Sequence, residues 1–423
     1  MRFNVYKQNL IAGDAQLVTR DFVVLEDDDG YIFKWTDLHR FVEAPGKRQI
    51  YKLGNSDHRK YRYVVMLLNY CFFDIYHVSR VTDITIEMIQ DFLQDFAMCR
   101  LIYDDTNTIR SKVTVELCVT TVIDFFQALG KKYKLPFKND DLYINKEVFN
   151  KRLRKMVKIK VPVFKVTYQD KRRAPIFRDI PEKAFEIIFN RIAEHHTNIL
   201  MLAALSSFAG LRPSEACNVR RADSALGPGL RFDQMDGEIS NISIDLRKEM
   251  NLRSDMVKVG SIKKERVQKV YPAFLNAFYE CYKTYMTYIQ GRPYEKDYGA
   301  LTVNKNGKAL TYDSYLKEFK QAVSECIPIM LSSSDPEIVI YGQLLQENSI
   351  SPHIFRHWFS MQLALYGATP AELMHWRGDT SPESAITYIN NKSDITKQLN
   401  TAVDKIFDFN SWRAEQKHND QSE

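Results

Sequence analysis

Three clusters in the second half of the chain have residue types and spacings suited to binding a phosphate. The first is "GLRPSE", in which Arg212 follows an apolar run and precedes a Pro-Ser-Glu helix start. A guanidinium group at such a junction is costly to bury unless an anion or a carboxylate meets it. Arg212 is therefore predicted either to bind an external anion or to pair with Glu215 or another acid.

The second cluster is "SPHIFRHWF", in which His353 and Arg356 stand three positions apart. Ser351 and Pro352 supply a helix start, and on that helix the two side chains share a face. A histidine that moves protons and an arginine that binds oxygens in a fork together favour a phosphate site. His357, next to two aromatic residues, is more typical of a structural histidine in a core.

The third cluster is "HWRGDTSPESAITY", which places Tyr388 nine positions after Asp379. Arg377, Gly378 and Asp379 also spell a cell-adhesion tripeptide. That interpretation requires an exposed extracellular loop, and nothing else in the chain supports one.

In this order the clusters resemble the catalytic domain of the tyrosine recombinase (phage integrase) family, over about residues 179–410. The family has a Gly-Leu-Arg-x-Ser-Glu box, a His-x-x-Arg box, a Gly-His or Gly-Trp turn, and a tyrosine nine positions beyond that His or Trp. The resemblance implies that Arg212 and Arg356 hold the non-bridging oxygens of a DNA phosphate. It further implies that His353 assists by proton transfer and that Tyr388 is the nucleophile.

The family also uses a hairpin lysine that protonates the departing 5′ oxygen, and the resemblance places it within "VGSIKKERVQKVYP". Counting back eight residues from Pro272 selects Lys264, and Lys263 is the alternative because hairpin length varies.

Asp379 departs from the family, which has a His or Trp that donates a hydrogen bond to the phosphate. An ionised carboxylate only accepts, and it repels the phosphate. Three interpretations stay open: Asp379 is protonated, it orients Lys264 or an arginine, or it leaves the role to His375 or Trp376.

The resemblance implies a site-specific recombinase that cuts and rejoins DNA through a 3′-phosphotyrosyl intermediate, in the integration and excision of a mobile element. It implies double-stranded DNA as the partner, a homotetramer on two DNA sites, accessory DNA-bending or directionality proteins, and no cofactor or metal. The segment "TAVDKIFDF" is expected to dock on a neighbouring protomer. The alternatives are an invertase or resolvase of the same family, a type IB topoisomerase, and a catalytically silent DNA-binding protein.

Composition agrees with an intracellular protein. The 423 residues are 45% hydrophobic, carry a formal charge of +6, and suffice for two or three domains. Six scattered cysteines predict reduced thiols without a disulfide framework. No signal sequence and no long apolar run stand out, so a cytoplasmic, nucleoid-associated protein without membrane contact is expected.

The predicted fold class is mainly α with a small antiparallel β-sheet in the catalytic domain (α+β). The period-two runs "ISIDL", "MVKV" and "RVQKVY" predict that sheet. The predicted order is a small β-containing region at 1–54, a helical core-binding domain at 55–140, a basic linker at 141–178, the catalytic domain at 179–410, and a disordered polar tail at 411–423.

The linker is the most biased segment of the chain. Ten basic residues and one acid lie between Lys151 and Arg173. An extended strap of this composition can follow a phosphate backbone, and a solvated surface run is the alternative.

Overall fold

The structure, a computed structural model, describes residues 1–43, 56–102, 110–150, 154–168 and 180–379. The chain forms two compact units. Unit 1 comprises residues 1–10 and 18–174, and unit 2 comprises residues 11–17 and 175–423. Across the described ranges, no helix has the length and apolar character needed to cross a membrane.

Unit 1 combines a small sheet, a group of helices and a separate hairpin. Its elements are most of β1 (Arg2–Ala12) and of β2 (Gln16–Glu26), and β3 (Ile32–Trp35), α1 (His39–Glu43), α2 (His58–Asn69), α3 (Ile86–Ala97), α4 (Lys112–Leu129), β4 (Tyr143–Asn150) and β5 (Lys155–Pro162). The sheet has the order β1-β2-β3, and β2 pairs antiparallel with β3.

The helices of unit 1 begin and end where local signals place them. The Thr85 hydroxyl accepts from the backbone N–H of Met88 and caps α3, and α4 ends at Gly130. Apolar residues at spacings of three and four on α3, such as Phe92 and Phe96, are fully buried. Phe3 of β1 belongs to the same core, so the N-terminal strands and the helices pack together.

The linker region differs from the extended strap expected from its charge. Strands β4 and β5 pair antiparallel along their whole length, from Tyr143 opposite Pro162 to Asn150 opposite Lys155. The β-branched residues Val157, Ile159 and Val161 at alternate positions of β5 favour a strand, and Val148 of β4 lies opposite Val157. This two-stranded sheet belongs to unit 1.

Unit 2 is mainly helical around one small sheet. Its elements are α5 (Glu182–His195), α6 (Leu200–Phe208), α7 (Pro213–Ala216), β6 (Leu230–Met235), β7 (Glu238–Leu246), β8 (Arg266–Lys269), α8 (Leu275–Ile289), α9 (Tyr312–Leu331), α10 (Pro336–Glu347), α11 (His353–Leu365) and α12 (Pro370–Arg377). The sheet is antiparallel in the order β6-β7-β8. The predicted fold class, mainly α with a small antiparallel sheet, is confirmed.

The core of unit 2 centres on α6, all of whose residues are buried. Helix α11 packs against α6, and its Trp358 stacks on Phe185 of α5 with ring centres 4.0 Å apart. Trp358 also donates its indole N–H to Glu182. Glu182 therefore links α5 to α11.

The run "MVKV", at residues 256–259, was wrongly predicted as a strand. The Val259 carbonyl oxygen accepts from the backbone N–H of Tyr312 at the start of α9, so it is not available to a sheet partner. A Cβ on the next residue, Gly260, would lie 2.2 Å from the Ser214 carbonyl oxygen. The segment is thus a loop pressed against α7, and β6 completes the sheet in its place.

All six cysteines lie in the described ranges and are free thiols, as predicted. Several predictions fall outside those ranges: the Tyr388 nucleophile, the docking segment "TAVDKIFDF", the polar tail at 411–423, and the parts of the basic linker at 151–153 and 169–178.

Candidate active site

Arg212 is positioned by a sharp turn between α6 and α7. Gly210 adopts a left-handed backbone conformation with φ +65°, and a Cβ there would lie 2.5 Å from the Phe359 ring. Only glycine fits both constraints. The turn places Arg212 in extended backbone directly before α7, with its side chain 17% exposed.

Arg356 reaches the same point from α11. Its side chain is 5% exposed, and its Nη1 atom donates to the Gly210 carbonyl oxygen. The glycine that turns the chain toward Arg212 therefore also holds Arg356 through its backbone. His353, one helical turn earlier, lies at the surface, and His357 is half-buried.

The two arginines converge on one oxygen atom. Oδ1 of Asp379 accepts from Nη2 of Arg212 at 2.6 Å and from Nη2 of Arg356 at 2.7 Å. The other carboxylate oxygen, Oδ2, lies 2.9 Å from Nε of Arg377. The three interpretations of Asp379 differ in what its carboxyl group contacts, and in the structure that group contacts arginines.

Asp379 is held at the end of α12 by a glycine turn. Gly378 has φ +62° and caps the helix, and the backbone N–H of Asp379 donates to the Met374 carbonyl oxygen. The side chains of Arg377 and Asp379 are 8% and 9% exposed. Both ends of the tripeptide are buried, which is incompatible with an adhesion loop.

Glu215 forms a second hub on the opposite side of Arg212. Its side chain is fully buried, and it accepts from Nη1 of Arg212 at 3.1 Å and Nη2 of Arg266 at 3.0 Å. Two backbone N–H groups, from Arg212 and Lys263, also donate to it at 3.2 Å. The predicted pairing of Arg212 with Glu215 is present together with the contact to Asp379.

Arg266 connects this hub to the end of α12. Its guanidinium group also donates to the Lys264 carbonyl oxygen, and its side chain lies against Gly378, where an added Cβ would be 2.3 Å from its Nε atom. Two residues along β8, Gln268 donates to the Trp376 carbonyl oxygen. Strand β8 and the turn at Asp379 thus fix each other.

Lys263 and Lys264 lie in the loop that leads into β8, and both are exposed. Their backbone groups are anchored, Lys263 through its N–H to Glu215 and Lys264 through its carbonyl to Arg266. The choice between the two ammonium groups stays as the sequence left it. Lys264 remains the predicted proton donor, on a loop tied to the arginine site.

Burial and the charges of the site together shift the pKa values of His353 and Arg356. Desolvation lowers the pKa of His353, and the charges of Arg356 and Arg212 lower it further, so the ring is neutral at neutral pH. Burial lowers the pKa of Arg356, and Arg377 and Arg212 add to that effect. The carboxylates of Asp379 and Glu215 oppose it, and the guanidinium group stays charged at neutral pH.

Sequence reasoning missed Arg266 and Arg377 as members of the site. For Arg266, the available signal was the polar pair Arg266 and Gln268 on one face of a short strand. For Arg377, burial was not readable, because a helix-ending arginine is usually solvated. The predicted residues Arg212, Arg356 and Asp379 meet in the structure, whereas Tyr388 lies outside the described ranges.

Comparison with known proteins adds a structural likeness at low sequence identity. Neither a protein-family model nor a curated protein matches the chain. The chain is similar to the Tn1549 transposon integrase in complex with transposon right end DNA, at 15% identity over 86% of this chain and 95% of that one, with a TM-score of 0.49. It is also similar to the XerH site-specific recombinase bound to its difH substrate, at 15% identity over 78% and 76% of the two chains, with a TM-score of 0.46.

A lambda integrase dimer bound to a COC′ core site gives 12% identity over 83% of this chain and 93% of that one, with a TM-score of 0.42. All three proteins are recombinases or integrases by name. At these identities and TM-scores, the function has to be inferred from the site itself.

Proposed function

We propose that this protein is a site-specific recombinase that cuts and rejoins double-stranded DNA through a 3′-phosphotyrosyl intermediate. The proposal rests on one observation. Nη2 of Arg212 and Nη2 of Arg356 lie 2.6 and 2.7 Å from the same carboxylate oxygen of Asp379. That oxygen stands in for a non-bridging phosphate oxygen, which has the same sign of charge and accepts the same hydrogen bonds. Two guanidinium groups in this arrangement stabilise the charge that builds up on a phosphate in the transition state.

In the proposed reaction, the Tyr388 hydroxyl oxygen attacks the phosphorus and the bond from phosphorus to the 5′ oxygen breaks. His353, whose ring is neutral, takes the hydroxyl proton, and Lys264 gives a proton to the departing 5′ oxygen. The phosphotyrosyl bond keeps the energy of the broken phosphodiester. A 5′ hydroxyl from another strand can then attack it, which rejoins the DNA and releases the tyrosine.

The proposal extends to the assembly that the motifs imply. Two DNA sites would be held by a tetramer of this chain, helped by accessory DNA-bending or directionality proteins, in the integration and excision of a mobile element. The hairpin β4–β5 of unit 1 supports a DNA partner, because it presents exposed lysines along one strand. Those lysines are Lys155, Lys158 and Lys160.

One observation favours a second candidate, a DNA-binding protein without catalysis. Asp379 occupies the arginine pair where the family has a hydrogen-bond donor, so the site carries a carboxylate at the position proposed for the phosphate. The chemistry decides between the two candidates, since only an enzyme forms a covalent bond to DNA.

The test is to trap that bond on a nicked duplex made from the DNA that flanks the gene. We expect a denaturant-resistant complex with the native protein and none with Tyr388→Phe. Tyr366→Phe, at a 46% exposed tyrosine of unit 2, is the matched control and should still form the complex.

No complex with the native protein would reject the enzyme and favour the silent DNA-binding protein. A complex that survives Tyr388→Phe would reject this nucleophile. Relaxation of supercoiled DNA without recombinant products would instead indicate a topoisomerase, and inverted or resolved products would indicate an invertase or a resolvase.

A further inference from the structure

The arginine pair divides its hydrogen bonds between fixed and exchangeable partners. Arg212 donates through Nη1 to the buried Glu215, and Arg356 donates through Nη1 to the Gly210 carbonyl oxygen. Both of these acceptors belong to the α6–α7 junction. Each arginine then presents Nη2 to the same atom, Oδ1 of Asp379.

Asp379 and Glu215 differ in where they lie in the fold. Glu215 is fully buried and receives two backbone N–H groups, which fix it within the fold. Asp379 lies at the very end of α12, just past a left-handed glycine, and its side-chain oxygens contact guanidinium groups. Of the two carboxylates, Asp379 is the one that can leave without unfolding an element.

The net positive charge of the cluster favours the binding of an incoming anion. Four guanidinium groups and two carboxylates form one connected network with a formal charge of +2. A phosphodiester oxygen needs the same two Nη2–H groups that Oδ1 uses. The phosphate and the Asp379 carboxylate cannot share them, because two anionic oxygens in contact repel each other.

We infer that Asp379 is an internal stand-in for the phosphate: its carboxylate occupies the arginine pair in the DNA-free protein and withdraws when a phosphate binds. The inference rests on the proposed role of Arg212 and Arg356 in phosphate binding. It gives the unusual aspartate a function that the family's donor does not have. The carboxylate compensates the buried Arg356 and holds both forks in place until the substrate arrives.

The experiment measures the affinity of the full-length protein for inorganic phosphate by calorimetry, without DNA or reaction at Tyr388. The apparent affinity for phosphate equals the intrinsic affinity multiplied by the fraction of protein whose site is free. Removing a competitor that fills the site nine-tenths of the time or more therefore raises the apparent affinity about tenfold or more. We expect that gain for Asp379→Asn and for Asp379→Ser. Adding Arg356→Gln to either variant should abolish it.

Asp223→Asn is the matched control. It removes the same charge from unit 2 at a 62% exposed carboxylate that binds Arg221 bidentately, and it should leave phosphate affinity unchanged. The native protein supplies a readout that needs no Asp379 variant to fold. In hydrogen exchange, phosphate should speed exchange of the Asp379 amide, whose N–H bonds to the Met374 carbonyl oxygen.

The outcomes separate the inference from the proposed function. Either of two results would overturn the stand-in role and leave the arginine site intact. One is phosphate binding that depends on Arg356 but is not tightened by either Asp379 variant. The other is hydrogen exchange at Asp379 that phosphate leaves unchanged. Phosphate binding that is insensitive to Arg356→Gln in every variant would overturn the proposed phosphate site and this inference with it.

Discussion

Replacing Glu215 by glutamine should destabilise unit 2 more than any surface charge change. The carboxylate is fully buried and meets two guanidinium groups, at 3.1 Å from Arg212 and 3.0 Å from Arg266. Glutamine keeps the shape but removes the charge. It also turns one acceptor oxygen into an NH2 group that faces other donors.

The magnitude follows from these distances. Two unit charges about 3 Å apart at an effective dielectric constant of about 20 attract by roughly 5 kcal/mol, so two guanidinium groups give roughly 10 kcal/mol before desolvation is counted. Desolvation of the buried ions cancels much of that sum. Losing one partner of a buried ion pair costs about 3–5 kcal/mol, and we expect this range for the fall in the free energy of unfolding.

The assay is urea denaturation of the full chain followed by tryptophan emission, because Trp358 stacks in the core of unit 2. Asp223→Asn is the control. Its carboxylate is 62% exposed and pairs with Arg221, so its removal should cost no more than about 1 kcal/mol. A Glu215→Gln variant within about 1 kcal/mol of the native protein would refute the assignment of Glu215 as the fixed counter-charge.

The pH dependence gives an independent check. Burial alone would raise the pKa of Glu215, but the hydrogen bonds and charges of Arg266 and Arg212 outweigh it and lower the pKa. A carboxyl group with a lowered folded-state pKa stabilises the protein above its unfolded-state pKa. That stability is lost as pH falls through the folded-state value. The difference between native and Glu215→Gln proteins should therefore shrink in acid.

Two further predictions concern the turn before Arg212 and the hairpin of unit 1. Gly210→Ala should lower both stability and covalent complex formation, because a Cβ would lie 2.5 Å from Phe359 and disturb the carbonyl that holds Arg356. The control is Gly237→Ala, also at positive φ but with no atom within 4 Å of an added Cβ. It should lower the free energy of unfolding in urea by only about 1–2 kcal/mol and keep activity. Neutralising the β5 lysines to glutamine should weaken DNA binding and flatten its dependence on salt by about one unit of slope for each phosphate that is no longer neutralised, and an unchanged slope would return the hairpin to a solvated surface. The β5 lysines are Lys155, Lys158 and Lys160, and the charge-matched control set is Lys131, Lys132 and Lys134.

Much of the site could be predicted because its signals are local. Pro213 after Arg212, and Ser351-Pro352 before His353, mark helix starts within a few residues of the functional side chains. The three-residue spacing then fixes His353 and Arg356 on one face. Helices α3 and α4 of unit 1 were predictable for the same reason, since Thr85 marks the start of α3 and Gly130 marks the end of α4.

The rest depends on contacts between residues far apart in the sequence. Arg212 and Asp379 are separated by 167 positions, and no local pattern reports that their side chains meet. The run "MVKV" shows the opposite failure. Its period-two pattern is typical of a strand, but a hydrogen bond from Tyr312 to Val259 and the close approach of Gly260 to Ser214 make it a loop. Local periodicity was overridden by tertiary packing.

Arginines with the proposed role of binding a phosphate pose a problem for the protein before the phosphate arrives. Arg356 is nearly inaccessible to solvent, and a buried guanidinium group without a counter-charge is strongly destabilising. The two carboxylates answer this in different ways. Glu215 is locked by backbone N–H groups and orients Arg212 permanently, whereas Asp379 sits at a helix end and contacts the faces of the arginines that a phosphate needs. A donor at position 379 would assist a bound phosphate but would leave the empty site more positively charged. An aspartate there stabilises the empty site and must be displaced for the reaction, so stability of the DNA-free protein and affinity for phosphate should change in opposite directions when Asp379 is replaced.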